Sequence, residues 1–239
     1  MQREVAEYVK KCDQFQRHAP ILHQSGGNLN PILSSWPFTQ WGFDIIGPFP
    51  RALGNKRYVV VAIDYFTKWV EAEALANIKD MDVKKFVWKS IIIRFRVPRV
   101  LISDNRLQFD SNVFREYCGS LRITNKYSSP AYPQSNEQAK ATNKTIVNGL
   151  KKRLEGTKSN WVEELLNVLW AYRITFRRST GETSFSMTHN AEVVIPIKVT
   201  LSSIRVDNFP RSSNNERMVE NLDALEEKRE RVAVRLADY

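Results

Sequence analysis

Long hydrophobic runs are missing from this sequence. The apolar stretches, such as Tyr58–Ile63, are far shorter than the roughly 20 residues that a membrane-spanning helix needs. Gln2, Arg3 and Glu4 open the chain with no apolar segment behind them, so the sequence predicts neither a signal peptide nor membrane association. Both absences argue against a secreted or membrane-inserted protein.

Cysteine is scarce, and acidic residues are fewer than basic ones. The two cysteines, Cys12 and Cys118, are far apart and show no pairing pattern, which fits a reducing intracellular compartment better than secretion. Acidic residues are outnumbered by basic ones, 26 to 36, which leaves a formal net charge of +10. That surplus favours an anionic partner, most commonly nucleic acid, although surface charge for solubility accounts for it equally well.

The length and composition of the chain are sufficient for one α/β domain. The chain has 239 residues, of which 42% are hydrophobic, so a packed core is feasible. Apolar and β-branched runs predict five strands, at 41–46, 58–64, 69–74, 99–103 and 122–127. Helical spacing predicts helices at 1–20, 83–95, 111–120, 136–154 and 161–176, and a charge-rich helix at 214–238 that is solvated or faces a partner. This order of elements is typical of a mixed sheet covered by helices.

Two aspartates occupy unusual positions. Asp44 lies in the middle of the first predicted strand, and Asp104 lies at the exit of the fourth. Burying a carboxylate among apolar residues is costly unless it is paired, and a bound metal ion is one such partner. Taken singly, each aspartate is more simply a turn former or a helix cap. Together they suggest a metal site.

Longer strings of residues carry a family signature. In chain order they are Trp41–Pro48, Ile102–Asn105 with Gln108-Phe109, Ser128–Asn136 with Gln138, Trp170–Arg173 and Ser179–Phe185. In this order and at these distances they resemble the integrase catalytic core of gypsy-type LTR retrotransposons. The last two strings resemble plant members of that family. The resemblance runs from about Trp36 to Pro196.

The resemblance implies an RNase H-like fold. This is an α/β fold in which a five-stranded mixed sheet is flanked by helices, here with extra amino- and carboxyl-terminal helical segments. It also implies two aspartates and a glutamate that hold two Mg²⁺ or Mn²⁺ ions, which activate the attacking oxygen and stabilise the leaving oxygen of a phosphodiester. Asp44 corresponds to the first metal-binding carboxylate and Asp104 to the second.

The third carboxylate of this triad is missing. The family places it after 35 intervening residues, and that position is Lys140. The family motif Asn-Gly-Gln-x-Glu reads Asn136-Glu137-Gln138-Ala139-Lys140 here, and the glycine that follows Asp-Asn in the family is Arg106. Lys140 removes an anionic ligand and places an ammonium where a divalent cation sits. We therefore expect the catalytic rate to be impaired by orders of magnitude.

Glu137 is a candidate to supply the carboxylate ligand that is missing at position 140. It lies one helical turn before Lys140 on roughly the same face. The simpler alternatives are an ion pair with Lys140 or exposure at the helix start, because one turn displaces the carboxylate by about 5 Å.

The predicted long helix also carries basic residues suited to DNA. Lys140, Lys144 and Lys151 share one face, with Lys152 and Arg153 adjacent. Because this helix approaches DNA in the family, the resemblance implies phosphate contacts by Lys144, Lys151, Lys152 and Arg153. A solvated helix face is the alternative that the sequence leaves open.

No structural zinc is expected. The Cys-x-x-Cys of the family's zinc domain appears as Cys12 followed by Phe15, and His18, His23 and His189 are scattered. We therefore divide the chain into a vestigial zinc-domain remnant and linker (1–35), an integrase catalytic core (36–197) and a linker with a charged helix (198–239).

Three functions remain open at this point. The first is an integrase that joins retroelement ends to chromosomal target DNA. The second is a catalytically dead, DNA-binding remnant, which Lys140 favours over the first. The third is a domesticated interaction protein that binds a partner through residues 214–238. The family further implies homo-oligomers, a location in the nucleus and a polyprotein of which this chain is a fragment.

Simple structural roles are expected for other prominent residues. Asp64 should cap a turn, and Ser111 should start the short helix. Trp88, Trp161 and Trp170 should anchor the core.

Overall fold

The computed structural model describes residues 34, 36–104, 108–128, 137–153, 161–190 and 214–238. The main strands are β1 Gln40–Ile46, β2 Tyr58–Asp64, β3 Val70–Leu75, β4 Val100–Asp104 and β5 Thr124–Ser128. The helices are α1 Asp80–Phe86, α2 Asn112–Ser120, α3 Glu137–Arg153, α4 Trp161–Ile174, α5 Ser184–His189 and α6 Asn214–Asp238. Shorter elements are a 3₁₀ turn Leu53–Asn55, a π-helical turn Val87–Ile92 and a hairpin of β6 Phe176–Arg177 and β7 Glu182–Thr183. The helix predicted at 1–20, Cys12, Phe15 and Arg106 lie outside the described residues.

The main sheet has the strand order β3-β2-β1-β4-β5. β2 pairs antiparallel with both β1 and β3, whereas β4 pairs parallel with both β1 and β5. Parallel neighbours need a crossover connection, which the chain supplies as helical segments between β3 and β4 and between β4 and β5. The predicted five-stranded mixed sheet flanked by helices is confirmed.

Alternating side chains build a core on each face of the sheet. Trp41, Phe43 and Ile45 of β1 lie on the face that α1 and α2 cover. Val59 and Val61 of β2 lie on the opposite face, which α3 and α4 cover. The central strands are therefore buried on both sides, which explains their nearly continuous apolar sequence.

The helix predicted at 83–95 begins and ends three residues earlier, at Asp80 and Ile92, and changes type within that range. After α1 the chain continues as the π-helical turn Val87–Ile92. Val87 and Ile91, four residues apart, face the core, whereas Trp88 lies off this buried stripe and is 48% exposed. The prediction that Trp88 anchors the core is therefore wrong.

The other two tryptophans that are predicted to anchor the core, Trp161 and Trp170, lie on α4. Trp161 is completely buried, as predicted, and its indole Nε1 donates a hydrogen bond to the backbone oxygen of Pro50 at 2.8 Å. Trp170 is half-buried and makes an edge contact with Phe185.

Helix α6 agrees with the helix predicted at 214–238, but one side of it packs on the domain. Val232 and Leu236 are buried against Phe66 and Met187. The prediction that this segment is solvated or faces a partner is therefore wrong for its apolar side. Among the described ranges, no helix is long and apolar enough to cross a membrane.

Candidate active site

Asp44 and Asp104 lie on neighbouring parallel strands. β1 and β4 pair in parallel from Gln40 beside Val100 to Gly42 beside Ile102, and extending that offset by two residues along both strands brings Asp44 level with Asp104. Adjacent strands are about 4.8 Å apart, so the two carboxylates are neighbours on one face of the sheet. Both side chains are half-buried. The strand register thus brings together the two aspartates that the sequence predicts to bind metal.

The face that carries these aspartates is covered by α3. Gly42 precedes Asp44 by two residues and shares its face, and a Cβ built on Gly42 would lie 3.4 Å from the Cβ of Ala139 in α3. Ile102 precedes Asp104 by two residues and packs in the same cluster as Ala139. Helix α3 therefore packs over the part of the sheet that carries the two aspartates.

Asn143 of α3 contacts Asp44 directly. Its Nδ2 donates a hydrogen bond to Oδ2 of Asp44 at 2.6 Å, and Oδ1 of Asp44 accepts one from the backbone N–H of Ile45 at 2.7 Å. Asn143 is 8% exposed, so water competes little for this bond. Asn143 is absent from the sequence-based prediction. The signal that reveals it is a polar residue at helical spacing between the buried Ala139 and Ile146.

Lys140 lies on an exposed part of α3, one turn before Asn143. One turn is about 5 Å along the helix, so position 140 is close to the carboxylates without being buried among them. Within the described residues, no three His, Cys, Asp or Glu side chains form a group that could hold a metal ion. Glu137 begins α3, but its side chain lies outside the described part of the chain, so a rescue by Glu137 stays a prediction.

The donor set of Asp44 and Asp104 fits one divalent cation. Two carboxylates, completed by water and phosphate oxygens, are a common arrangement for Mg²⁺. A second ion requires further anionic oxygens. From the described side chains of α3, the site has the neutral amide of Asn143 and, nearby, the ammonium of Lys140. Among the described side chains, the two aspartates thus supply anionic oxygens for one ion.

Gly42 permits Tyr65 to lie directly against β1. A Cβ at Gly42 would stand 2.6 Å from Oη and 2.9 Å from Cζ of Tyr65, closer than atoms can approach. Tyr65 is 1% exposed, which leaves its ring little room to move. The packing of β1, Tyr65 and α3 beside Asp44 therefore depends on the missing side chain at Gly42.

Asp64 caps the turn between β2 and β3, as predicted. Its Oδ2 accepts hydrogen bonds from the backbone N–H and the hydroxyl of Thr67, each at 2.7 Å, and its Oδ1 accepts one from the backbone N–H of Phe38 at 2.9 Å. Complete burial raises the pKa of Asp64 from 3.8 to about 6, against the lowering effect of these hydrogen bonds and of the Lys68 ammonium.

The predicted DNA-binding residues of α3 lie on its exposed side. Lys144, Lys151 and Lys152 are exposed, as the spacing predicts. Arg153 is also exposed, and its Nη1 lies 3.2 Å from Oε2 of Glu164 in α4. An exposed pair of this kind contributes roughly 0–1 kcal/mol, so Arg153 can exchange Glu164 for a phosphate at little cost. Their contact with nucleic acid stays a prediction.

Comparison with known proteins identifies the relatives of this chain. Residues 35–133 match the family described as integrase core domain, a match that includes Asp44 and Asp104 and ends before α3. The Tf2-3 and Tf2-4 transposon polyproteins of Schizosaccharomyces pombe are 24% identical to this chain over 210 residues. That alignment covers 87% of this chain, which spans 16% of the length of each polyprotein.

Solved structures share the fold. The intasome of simian T-cell lymphotropic virus, in complex with the PP2A regulatory subunit B56 gamma, contains a chain that is 18% identical with a TM-score of 0.59; the match covers 82% of this chain and 69% of that one. The HTLV-2 integrase catalytic core domain, in complex with magnesium, is 20% identical with a TM-score of 0.53 over 67% of this chain and 100% of that one. The strand order and flanking helices described above are thus those of retroviral integrase cores.

Proposed function

Since the chain carries an integrase core domain of the kind found in retrotransposon polyproteins, we propose that Asp44 and Asp104 hold one divalent metal ion and that Lys140 leaves DNA strand transfer impaired. The observation that supports this proposal is the parallel pairing of β1 with β4, whose offset leads to Asp44 beside Asp104, under a helix that hydrogen-bonds Asp44. The HTLV-2 relative in complex with magnesium supports the same choice of cation.

The metal proposed is Mg²⁺ or Mn²⁺. When bound, such an ion polarises a phosphodiester oxygen as a Lewis acid. Asp44 and Asp104 supply the hard oxygen ligands that these cations prefer. Asn143 fixes the orientation of Asp44 through its hydrogen bond, so one carboxylate is held in place before any ion arrives.

Lys140 opposes metal binding for two physical reasons. It supplies no oxygen ligand at the triad's third position, and its positive charge repels a divalent cation nearby. Exposure moderates the repulsion, because water screens a charge at the surface more than a buried one. The lost ligand is therefore the larger defect, and the rate of strand transfer should fall by orders of magnitude.

The DNA partner is proposed from the basic side of α3. Lys144, Lys151, Lys152 and Arg153 are positioned to contact phosphates of retroelement ends or of target DNA, and the net charge of +10 assists their approach. Action on chromosomal DNA would place the protein in the nucleus. Homo-oligomers are proposed as well, since the HTLV-2 catalytic core is described in trimeric and dimeric forms. The gypsy-type plant origin stays a prediction.

The test is metal-dependent strand transfer with a labelled LTR-end duplex in Mn²⁺. The chain as it stands is compared with Lys140→Glu, and Lys144→Glu is the matched control because it makes the same charge change one turn further along α3. We expect joined product only from Lys140→Glu. Comparable joining by the unchanged chain would refute the impairment. Absence of joining from Lys140→Glu would refute the assignment of position 140.

A catalytically dead DNA-binding remnant is the second candidate, favoured by the exposed lysines of α3. Fluorescence anisotropy with duplex DNA tests it through the variant Lys144→Glu with Lys151→Glu. The control, Lys85→Glu with Lys89→Glu, carries the same charge change at exposed positions of α1 and the following π-helical turn. Weaker binding and a shallower salt dependence in the first variant alone would support this candidate. An equal loss of DNA affinity in both variants would show that binding depends only on net charge.

A further inference from the structure

Lys68 is a buried cation in the turn between β2 and β3. Its residue is 9% exposed, and its backbone has the left-handed φ of 59°, a conformation that glycine adopts more easily than lysine. Its Nζ donates hydrogen bonds to the backbone oxygen of Tyr65 at 2.7 Å and to Oε1 of Gln138 at 2.8 Å. One side chain therefore links the turn to the start of α3, 70 residues further along the chain.

The burial of Lys68 is costly, and this cost shows in its pKa. Desolvation lowers the pKa of Lys68 to about 8, although the carboxylate of Asp64 opposes that effect, and Arg177 adds to it by repulsion. At neutral pH the ammonium is still mostly protonated, so both of its hydrogen bonds are charge-assisted. Bonds of this kind are stronger than those between neutral groups.

The first helical turn of α3 contacts the β2–β3 turn at two points. Oε1 of Gln138 accepts a hydrogen bond from the Lys68 ammonium. The next residue, Ala139, packs in one cluster with Tyr65. Position 140 follows immediately, and Asn143 contacts Asp44 one helical turn later. Contacts of Lys68 and Tyr65 therefore hold the start of α3 in position beside β1.

We propose that Lys68 is a positioning residue: by binding Gln138 it fixes the first turn of α3, and with it position 140, opposite Asp44 and Asp104. This inference rests on the proposed function for its consequence, since position 140 is where the family's third carboxylate belongs. The contact itself is a property of this chain whether or not strand transfer occurs.

Hydrogen exchange measured by mass spectrometry tests the contact without any activity. Lys68→Met removes both hydrogen bonds but keeps most of the side-chain volume, and Gln138→Leu removes the acceptor. We expect peptides from the first half of α3 to exchange about tenfold faster in each variant. The double variant should be little worse than either single variant, because both remove one interaction. Gln138→Glu, which keeps an acceptor for the ammonium, should retain slow exchange.

The control for this experiment is Lys144→Met, which removes an exposed lysine from the same helix and should change nothing. Faster exchange confined to the β2–β3 turn, or spread evenly over the whole domain, would overturn the proposal. So would additive effects of Lys68→Met and Gln138→Leu.

A second readout connects the contact to the metal. In Lys140→Glu, adding Lys68→Met should weaken Mn²⁺ binding about tenfold, the effect expected of a residue that orients a ligand. Unchanged affinity would show that Lys68 is only structural and would overturn its positioning role. If Lys140→Glu itself fails to bind Mn²⁺, the proposed function fails, and the exchange experiment still decides whether Lys68 fixes α3.

Discussion

The amide of Asn143 donates a hydrogen bond of 2.6 Å to a carboxylate oxygen of Asp44, joining α3 to β1 at the centre of the site. This contact lies one helical turn beyond position 140, where the family has its third carboxylate. Helix α3 is therefore close to the carboxylate that is proposed to bind metal. What it lacks among its described side chains is the anionic ligand.

Asn143→Asp should make the stability of the domain depend on metal. The change places two carboxylates in contact, which should cost about 2 kcal/mol in unfolding free energy when chelator is present. Mn²⁺ should restore part of the loss, because a cation between the carboxylates relieves their repulsion. Thermal melting with EDTA and with Mn²⁺ measures both effects. Asn148→Asp, at a half-buried position of the same helix, is the control and should show no response to Mn²⁺.

Gly42→Ala should destabilise the domain by about 1–3 kcal/mol, because the added Cβ overlaps the ring of Tyr65. Chemical denaturation measures the change. The control is Gly119→Ala in α2, where a Cβ meets nothing within 4 Å and where better helix propensity should raise stability by roughly 0.5–1 kcal/mol. Equal effects of the two substitutions would show that Tyr65 does not constrain position 42.

Asp64 should titrate near pH 6 in the folded chain. Because its pKa is raised from 3.8 to about 6, the folded state binds more protons than the unfolded state between these values. Its contribution to stability is therefore greatest below about pH 4 and falls by about 3 kcal/mol as the pH rises through 6. The difference in unfolding free energy between the chain and Asp64→Asn, measured from pH 4 to 7, should show this slope. A carboxyl carbon resonance of Asp64 that titrates near pH 4 would contradict the expectation.

Leu236→Ala should cost about 2–3 kcal/mol in unfolding free energy, since the leucine of α6 is buried near Phe66 and Met187. Val234→Ala, two residues earlier and 64% exposed, should change it by less than about 0.5 kcal/mol. Similar small effects at both positions would mean that α6 is detached from the domain in solution. That result would revive the prediction of a helix that faces a partner.

The fold was largely predictable because its strands carry strong local patterns. The run Tyr58–Ile63 is apolar, and the strand ends at Asp64 as predicted. The turn after it depends on Asp64, whose capping role follows from residue type. Trp88 could not be placed in this way. Val83, Val87 and Ile91 are buried at ordinary helical spacing, and position 88 falls off that stripe, so the expectation that followed from residue type alone was wrong.

The site was predictable only in part. Asp44 and Asp104 occupy motif positions, so their proximity is expected once the two strands are known to be adjacent. Asn143 and Lys68 act through contacts with residues 99 and 70 positions away in the chain, and such contacts depend on how α3 docks on the sheet. Local propensity contains no information on that docking.

Calorimetric titration with Mn²⁺ tests whether Asp44 binds a cation and whether Lys140 weakens that binding. Three proteins are compared: the chain as it stands, Lys140→Glu, and Asp44→Asn. We expect Lys140→Glu to bind Mn²⁺ at least about tenfold more tightly than the unchanged chain, and Asp44→Asn to abolish binding. Equal affinity of the unchanged chain and Lys140→Glu, or binding that survives Asp44→Asn, would contradict this expectation.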